Sequence, residues 1–148
     1  MSSWLYKDLT GEVASMKYRL MDLLACPYDK HFPLELHVID TVRYEGRVAS
    51  FKTKPACELY CAYRGVKVSE LEGRDPGCDD CIKFEVKTGV LFCPECGRWW
   101  PIKEEIPVIL PDNLRKKDSD LKFLEPLKDK LPEKITRSGK PWALEAQS

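Results

Sequence analysis

The chain has 148 residues, 43% of them hydrophobic, which is material for one small core and excludes two large domains. Its 24 Lys and Arg balance 24 Asp and Glu, which excludes a bulk field that would hold polyanions or anionic membranes. No apolar run approaches the roughly 18 residues of a membrane span, and a secretory signal pattern is lacking, so a soluble, cytoplasmic protein is expected.

Residues 1–15 show no periodic core pattern and read as an N-terminal extension. From Lys17 to Ala25, Leu20, Met21, Leu23 and Leu24 recur at helical spacing and Pro27 stops the run, which predicts a short helix that delivers Cys26 at its end. Leu34 to Val42 alternates apolar and polar residues as a half-buried strand does, and Val48 to Lys52 is expected to pair with it across a turn at Glu45-Gly46. Residues 54–83 then turn rich in Pro, Gly and acidic residues and carry four cysteines, so they read as an insertion held by something other than a core. Phe84 to Val86 and Val90 to Phe92 are expected to form a hairpin around Lys87-Thr88-Gly89. Two short apolar runs follow, Trp99 to Ile102 and Ile106 to Leu110. Beyond residue 112 the composition turns polar, and Leu114, Leu121, Leu124 and Leu127 share one face of a helix that Pro132 ends.

Seven cysteines in a protein of reducing compartments point to metal before disulfides, although hyperthermophile cytosols do keep disulfides. Two pairs have the two-residue spacer that lets one tight loop supply two thiolates to a tetrahedral ion: Cys78/Cys81 and Cys93/Cys96. In the second, Pro94 stiffens the loop and Gly97 supplies a turn. Two partitions are open. Cys78, Cys81, Cys93 and Cys96 form one zinc ribbon, or Cys26 and a nearby residue join Cys93 and Cys96 while Cys57, Cys61, Cys78 and Cys81 make a four-thiolate site of their own.

The frame Met16-Lys17-x-x-Leu20-x-Asp22-x-Leu24-x-Cys26-Pro27, then Phe32-Pro33-Leu34-x-Leu36, then Gly89-Val90-Leu91-x-Cys93-Pro94-x-Cys96-Gly97-Arg98-x-Trp100-Pro101-Ile102-x-x-x-Ile106-Pro107 resembles the small zinc-binding activator subunit of tRNA, ribosomal RNA and release-factor methyltransferases. The resemblance implies an α+β fold: a zinc-binding domain with a short antiparallel sheet and flanking helices, made from residues 16–53 and 84–112. Residues 54–83 would be its central insertion and 113–148 a charged C-terminal helix or tail. It implies a non-catalytic role, with no catalytic residues, in a heterodimer with a methyltransferase that uses S-adenosylmethionine. It also favours the second partition. The first knuckle has only Cys26, so His31 or Asp29 supplies the fourth ligand, and imidazole five residues after Cys26 suits zinc. The predicted ligands are therefore Cys26, His31, Cys93 and Cys96, with a second zinc on Cys57, Cys61, Cys78 and Cys81.

Strand alternation makes about half of the apolar residues from Trp99 to Leu110 core, but a domain this small is not expected to bury both faces of its last strands, so the partner surface is drawn from Trp99, Trp100, Ile102, Ile106, Pro107, Val108 and Leu110. A different class of function, direct RNA binding by a zinc ribbon, would use Arg98, Arg115, Lys116, Lys117 and Trp99 as a basic and aromatic surface.

Overall fold

A computed structural model describes residues 15–48 and 51–144. The predicted extension, apart from Ser15, lies outside the described residues. The opening helix is a single 3₁₀ turn, Tyr18–Asp22, closed by the Leu23 amide donating to the Leu20 carbonyl. It buries Met21 and Leu24 and leaves Leu23 facing solvent. Strand β1, Glu35–Arg43, follows where alternation predicts a strand. The expected insertion, residues 54–83, carries a two-stranded ribbon of β2, Tyr60–Cys61, and β3, Val66–Lys67, and a one-turn helix α1, Cys78–Cys81. Three strands then complete the main sheet: β4, Phe84–Phe92; β5, Trp99–Lys103; and β6, Ile106–Pro107. The sheet is antiparallel with order β1-β4-β5-β6. Helices α2, Lys117–Leu124, and α3, Glu133–Thr136, close the chain. No helix among the described residues is long and apolar enough to cross a membrane.

Two expected hairpins are absent, and one long-range pairing replaces both. The turn at Glu45-Gly46 exists, but Val48, Phe51 and Lys52 are not in a strand and Val48 is exposed; Ala49 and Ser50 lie outside the described residues. The edge of β1 is taken instead by β4, Glu35 against Phe92 through Arg43 against Phe84. Nor does the chain turn at Lys87-Thr88-Gly89: β4 runs straight through, paired with β1 on one side and β5 on the other. Gly89 serves a close approach. A Cβ there would sit 2.6 Å from the His37 carbonyl oxygen, beside the register irregularity between Val38 and Thr41. Gly89→Ala is accordingly expected to destabilise the domain by about 1–3 kcal/mol through overpacking, read as a lower melting temperature with the metal content unchanged.

The sheet is covered on both faces. One face packs Val86, Leu91, Trp100 and Ile102 against Met16, Met21, Leu24 and Leu34. The other packs Val90, Phe92 and Trp99 under Leu124, Leu127, Leu131 and Ile135 of the C-terminal segment. The expectation of a bare face is therefore corrected, because residues beyond 116 supply the missing layer. Trp99, Trp100 and Ile102 have no exposed surface and Pro107 is buried, so these four are core; Ile106, Val108 and Leu110 are half-buried.

Candidate metal centre

Two short loops of the same design face each other. One is the β4–β5 connection, Cys93 to Arg98; the other runs from Cys26 to His31 ahead of β1. In each, the first cysteine's amide donates to the carbonyl five residues on (Arg98 at 2.8 Å, His31 at 2.9 Å), and its carbonyl accepts from the amide four residues on (Gly97 at 2.9 Å, Lys30 at 2.9 Å). The residue at that fourth step has positive φ in both, 83° for Gly97 and 67° for Lys30. The loops are thus conformational copies, and their sequences superpose as Cys-Pro-Glu-Cys-Gly on Cys-Pro-Tyr-Asp-Lys. Asp29 stands in the first loop where Cys96 stands in the second.

That correspondence sets the donor group. Ligand atoms of Cys26, Asp29, Cys93 and Cys96 all lie within 4.8 Å of one another. The Cys26 and Cys96 sulfurs are 3.7 Å apart, and the Cys93 sulfur is 3.6 Å from either Asp29 carboxylate oxygen. A tetrahedral zinc with sulfur at about 2.3 Å and carboxylate oxygen at about 2.1 Å has edges of about 3.8 Å between sulfurs and about 3.6 Å between sulfur and oxygen. Those two separations match the edges of such a tetrahedron, and three thiols with one carboxylate suit zinc by chemistry. Cys26 and Cys93 are fully buried, while Asp29 is open to solvent.

The residues around the cluster bias its charge. Burial pushes the Cys26 thiol up to about 12 and also raises Cys93. Burial acts in the same direction on Cys96, but the Arg98 amide and guanidinium and the two neighbouring thiols outweigh it and bring that thiol below its ordinary value. The His31 amide donating to Asp29 (3.0 Å) holds the carboxyl below its usual range. Arg98 is itself fixed: it pairs with Asp112 at 2.9 Å, and its guanidinium lies 3.7 Å from the centre of the Tyr28 ring. The Tyr28 hydroxyl accepts from the Asp112 amide at 2.9 Å, so the two loops and the chain beyond β6 are tied together beside the donors.

His31 is not a member of this group. Its main chain closes the loop and its amide donates to Asp29, so of the two candidates for the fourth position it is the Asp29 carboxylate that stands beside the thiols. The signal available in the sequence was the equal three-residue step from Cys26 to Asp29 and from Cys93 to Cys96. Cys78 and Cys81 do not join Cys93 and Cys96, and all seven cysteines are free thiols. Cys57, Cys61, Cys78 and Cys81 line a cavity elsewhere and are not part of this group. The basic and aromatic surface drawn for RNA is not assembled: Trp99 is buried, Arg98 is paired with Asp112, and Arg115 is buried against Asp120 at 2.9 Å.

A family model described as Trm112p-like protein matches residues 17–105. The chain belongs to that family. Trm112p-like proteins are small zinc-binding activators of methyltransferases, non-catalytic in themselves. Both loops of the donor cluster fall inside the matched span, and the covering segment after residue 116 falls outside it. No curated protein matches the chain.

If Asp29 is the fourth donor, Asp29→Ala lowers zinc affinity about tenfold or more, Asp29→Cys keeps or strengthens it, and His31→Ala leaves it unchanged. Competition with a chromophoric chelator separates the three.

Proposed function

We propose that this chain is the non-catalytic, zinc-binding subunit that activates and stabilises methyltransferases that use S-adenosylmethionine on tRNA, ribosomal RNA or release factor, in the cytoplasm. The observation that carries the reading is the convergence of two family-matched loops on one donor set with zinc spacing. Cys26, Asp29, Cys93 and Cys96 would hold the ion. Zinc bound this way cross-links loops that are 67 residues apart in sequence, as the difference between Cys26 and Cys93 shows, and four protein ligands leave no open position for water or substrate. Its contribution is therefore architectural. The Tyr28, Arg98 and Asp112 contacts keep the loops aligned around it.

For the partner, the apolar residues left at the surface of the last strands are Ile106, Val108 and Leu110. They lie on and just after β6, which ends the sheet, so a partner backbone can add there while these side chains dock. Affinity purification of the full chain from its native cell, followed by mass spectrometry, tests the reading. Enrichment of one or more methyltransferases, with no S-adenosylmethionine binding by the isolated chain in calorimetry, supports it. Tight, salt-dependent RNA binding by the isolated chain with no methyltransferase recovered would replace it with direct RNA recognition.

A further inference from the structure

The insertion between β1 and β4 has almost no hydrocarbon core. Between residues 55 and 82 the buried residues are Cys61, Leu71, Pro76, Cys78 and Cys81, so thiols form most of the interior. Regular structure is confined to β2, β3, the one-turn α1 and a 3₁₀ turn at Val68–Leu71. A segment this short and this poor in apolar burial needs a covalent or metal staple to hold one conformation. Its cysteines are not joined to one another.

All four insertion cysteines line a single small cavity. Its volume is about 10 Å³, close to the room taken by one water-sized occupant. Cys61 comes from β2, Cys78 and Cys81 from the two ends of α1, and Cys57 from the irregular stretch ahead of β2. The Ala56 amide already donates to the Cys78 sulfur at 3.4 Å, the contact by which a backbone amide supports a thiolate at a metal. Arg19 lies at the rim, so a cation faces the anionic charge that four thiolates around a divalent ion would carry. Cys57 belongs to a stretch without helix or strand pairing, so its thiol is the least constrained of the four by regular structure.

We propose that Cys57, Cys61, Cys78 and Cys81 form a second zinc site, a closed four-thiolate centre that staples the insertion independently of the Cys26, Asp29, Cys93 and Cys96 centre. Four thiols give up their protons to solvent as one zinc ion binds, and no other bond is broken. An all-sulfur tetrahedral set selects zinc or iron over harder cations. The absence of His or carboxylate among the four, and of any open position, makes the site structural.

The test uses the full chain expressed with zinc and kept reduced. Native mass spectrometry and elemental analysis are expected to give two zinc ions per chain, falling to one in Cys78→Ser/Cys81→Ser and to one in Cys93→Ser/Cys96→Ser. Because either double variant risks misfolding, the wild-type protein is also alkylated with iodoacetamide before and after chelation, and each cysteine is read by peptide mapping. Cys57, Cys61, Cys78 and Cys81 are expected to be protected until the chelator is added. One zinc per chain with these four alkylated equally in both conditions overturns the site, as does an intact mass showing disulfides among them or iron in place of zinc. Loss of protection at Cys26, Cys93 and Cys96 alone would strike the first centre and leave this one standing.

Discussion

Cys93→Ser is expected to lower zinc affinity at the first centre by more than about 100-fold, beyond the 10–100-fold that follows loss of an outer-shell partner. Methyltransferase activation should fall with it. Cys93 is fully buried, stands at the end of β4 and touches the same core as Trp100 and Leu91, so a metal held there would be continuous with that core. Structural zinc contributes folding free energy directly, on the order of 10 kcal/mol in small fingers, and the variant should melt well below the parent and gain nothing from added zinc. Acid gives an orthogonal check. The metal-free Cys26 thiol is held up to about 12 by burial, so it is protonated throughout the neutral range and must release its proton to bind. Affinity therefore rises with pH and falls as pH drops, and lowering pH from about 8 to about 5 should strip the ion progressively. A pH-independent zinc content, or a Cys93→Ser protein with parental metal content, would remove Cys93 from the centre.

How far the sequence could be read depends on the range of the interaction. Cys93-Pro-Glu-Cys96 is legible because one tight loop carries its whole signal, and the start of β1 is legible because Leu34 and Leu36 face one layer, while past the register irregularity Val38 is exposed and Ile39 packs on the other. Residue chemistry alone leaves Asp29 and His31 both open, whereas the matching hydrogen bonds of the two loops put Asp29 and not His31 beside the thiols. Gly89 resembles a turn signal, yet what demands it is the His37 carbonyl more than 50 residues away, and local pattern has no access to that distance. The same holds for Val48 to Lys52, where a genuine turn at Glu45-Gly46 suggested a local partner while β4 held the edge. The second layer over the sheet was legible in part: Leu121, Leu124 and Leu127 do cover it, but from α2 and a 3₁₀ turn in place of one helix, Leu114 is exposed, and Leu131 and Ile135 join them on either side of Pro132. The breaks at Pro126 and Pro132 fall between these residues, and only their sum covers Trp99.

Trp99→Ala is expected to cost about 3–5 kcal/mol, the range for truncating a buried aromatic, and so to lower the melting temperature by about 10 °C or more. The indole sits at the hub of the C-terminal cover. Its Nε1–H donates to the Trp142 carbonyl at 2.9 Å, its amide donates to the Lys140 carbonyl at 3.0 Å, and its carbonyl accepts from Arg115. The Arg115 guanidinium lies 4.6 Å from the ring centre and pairs with Asp120, which in turn accepts from the Trp142 indole at 3.0 Å. Removing the ring takes the aromatic face from the Arg115 guanidinium and the indole donor from the Trp142 carbonyl, while the Arg115–Asp120 pair stays. The segment from residue 112 to 144 should therefore become the first site of proteolysis, while the centre at Cys26, Asp29, Cys93 and Cys96, which packs on the opposite face with Trp100, keeps its zinc. Ile106→Asp and Val108→Asp should behave in the opposite way, because their side chains are only half-buried: each folds near the parental temperature, and at least one binds the methyltransferase at least about tenfold more weakly, as an unpaired charge at an interface does. A Trp99→Ala protein that melts like the parent but has lost its partner would return Trp99 to the interface and require the tail to swing away on binding. Parental binding by both aspartate variants would move the interface off β6.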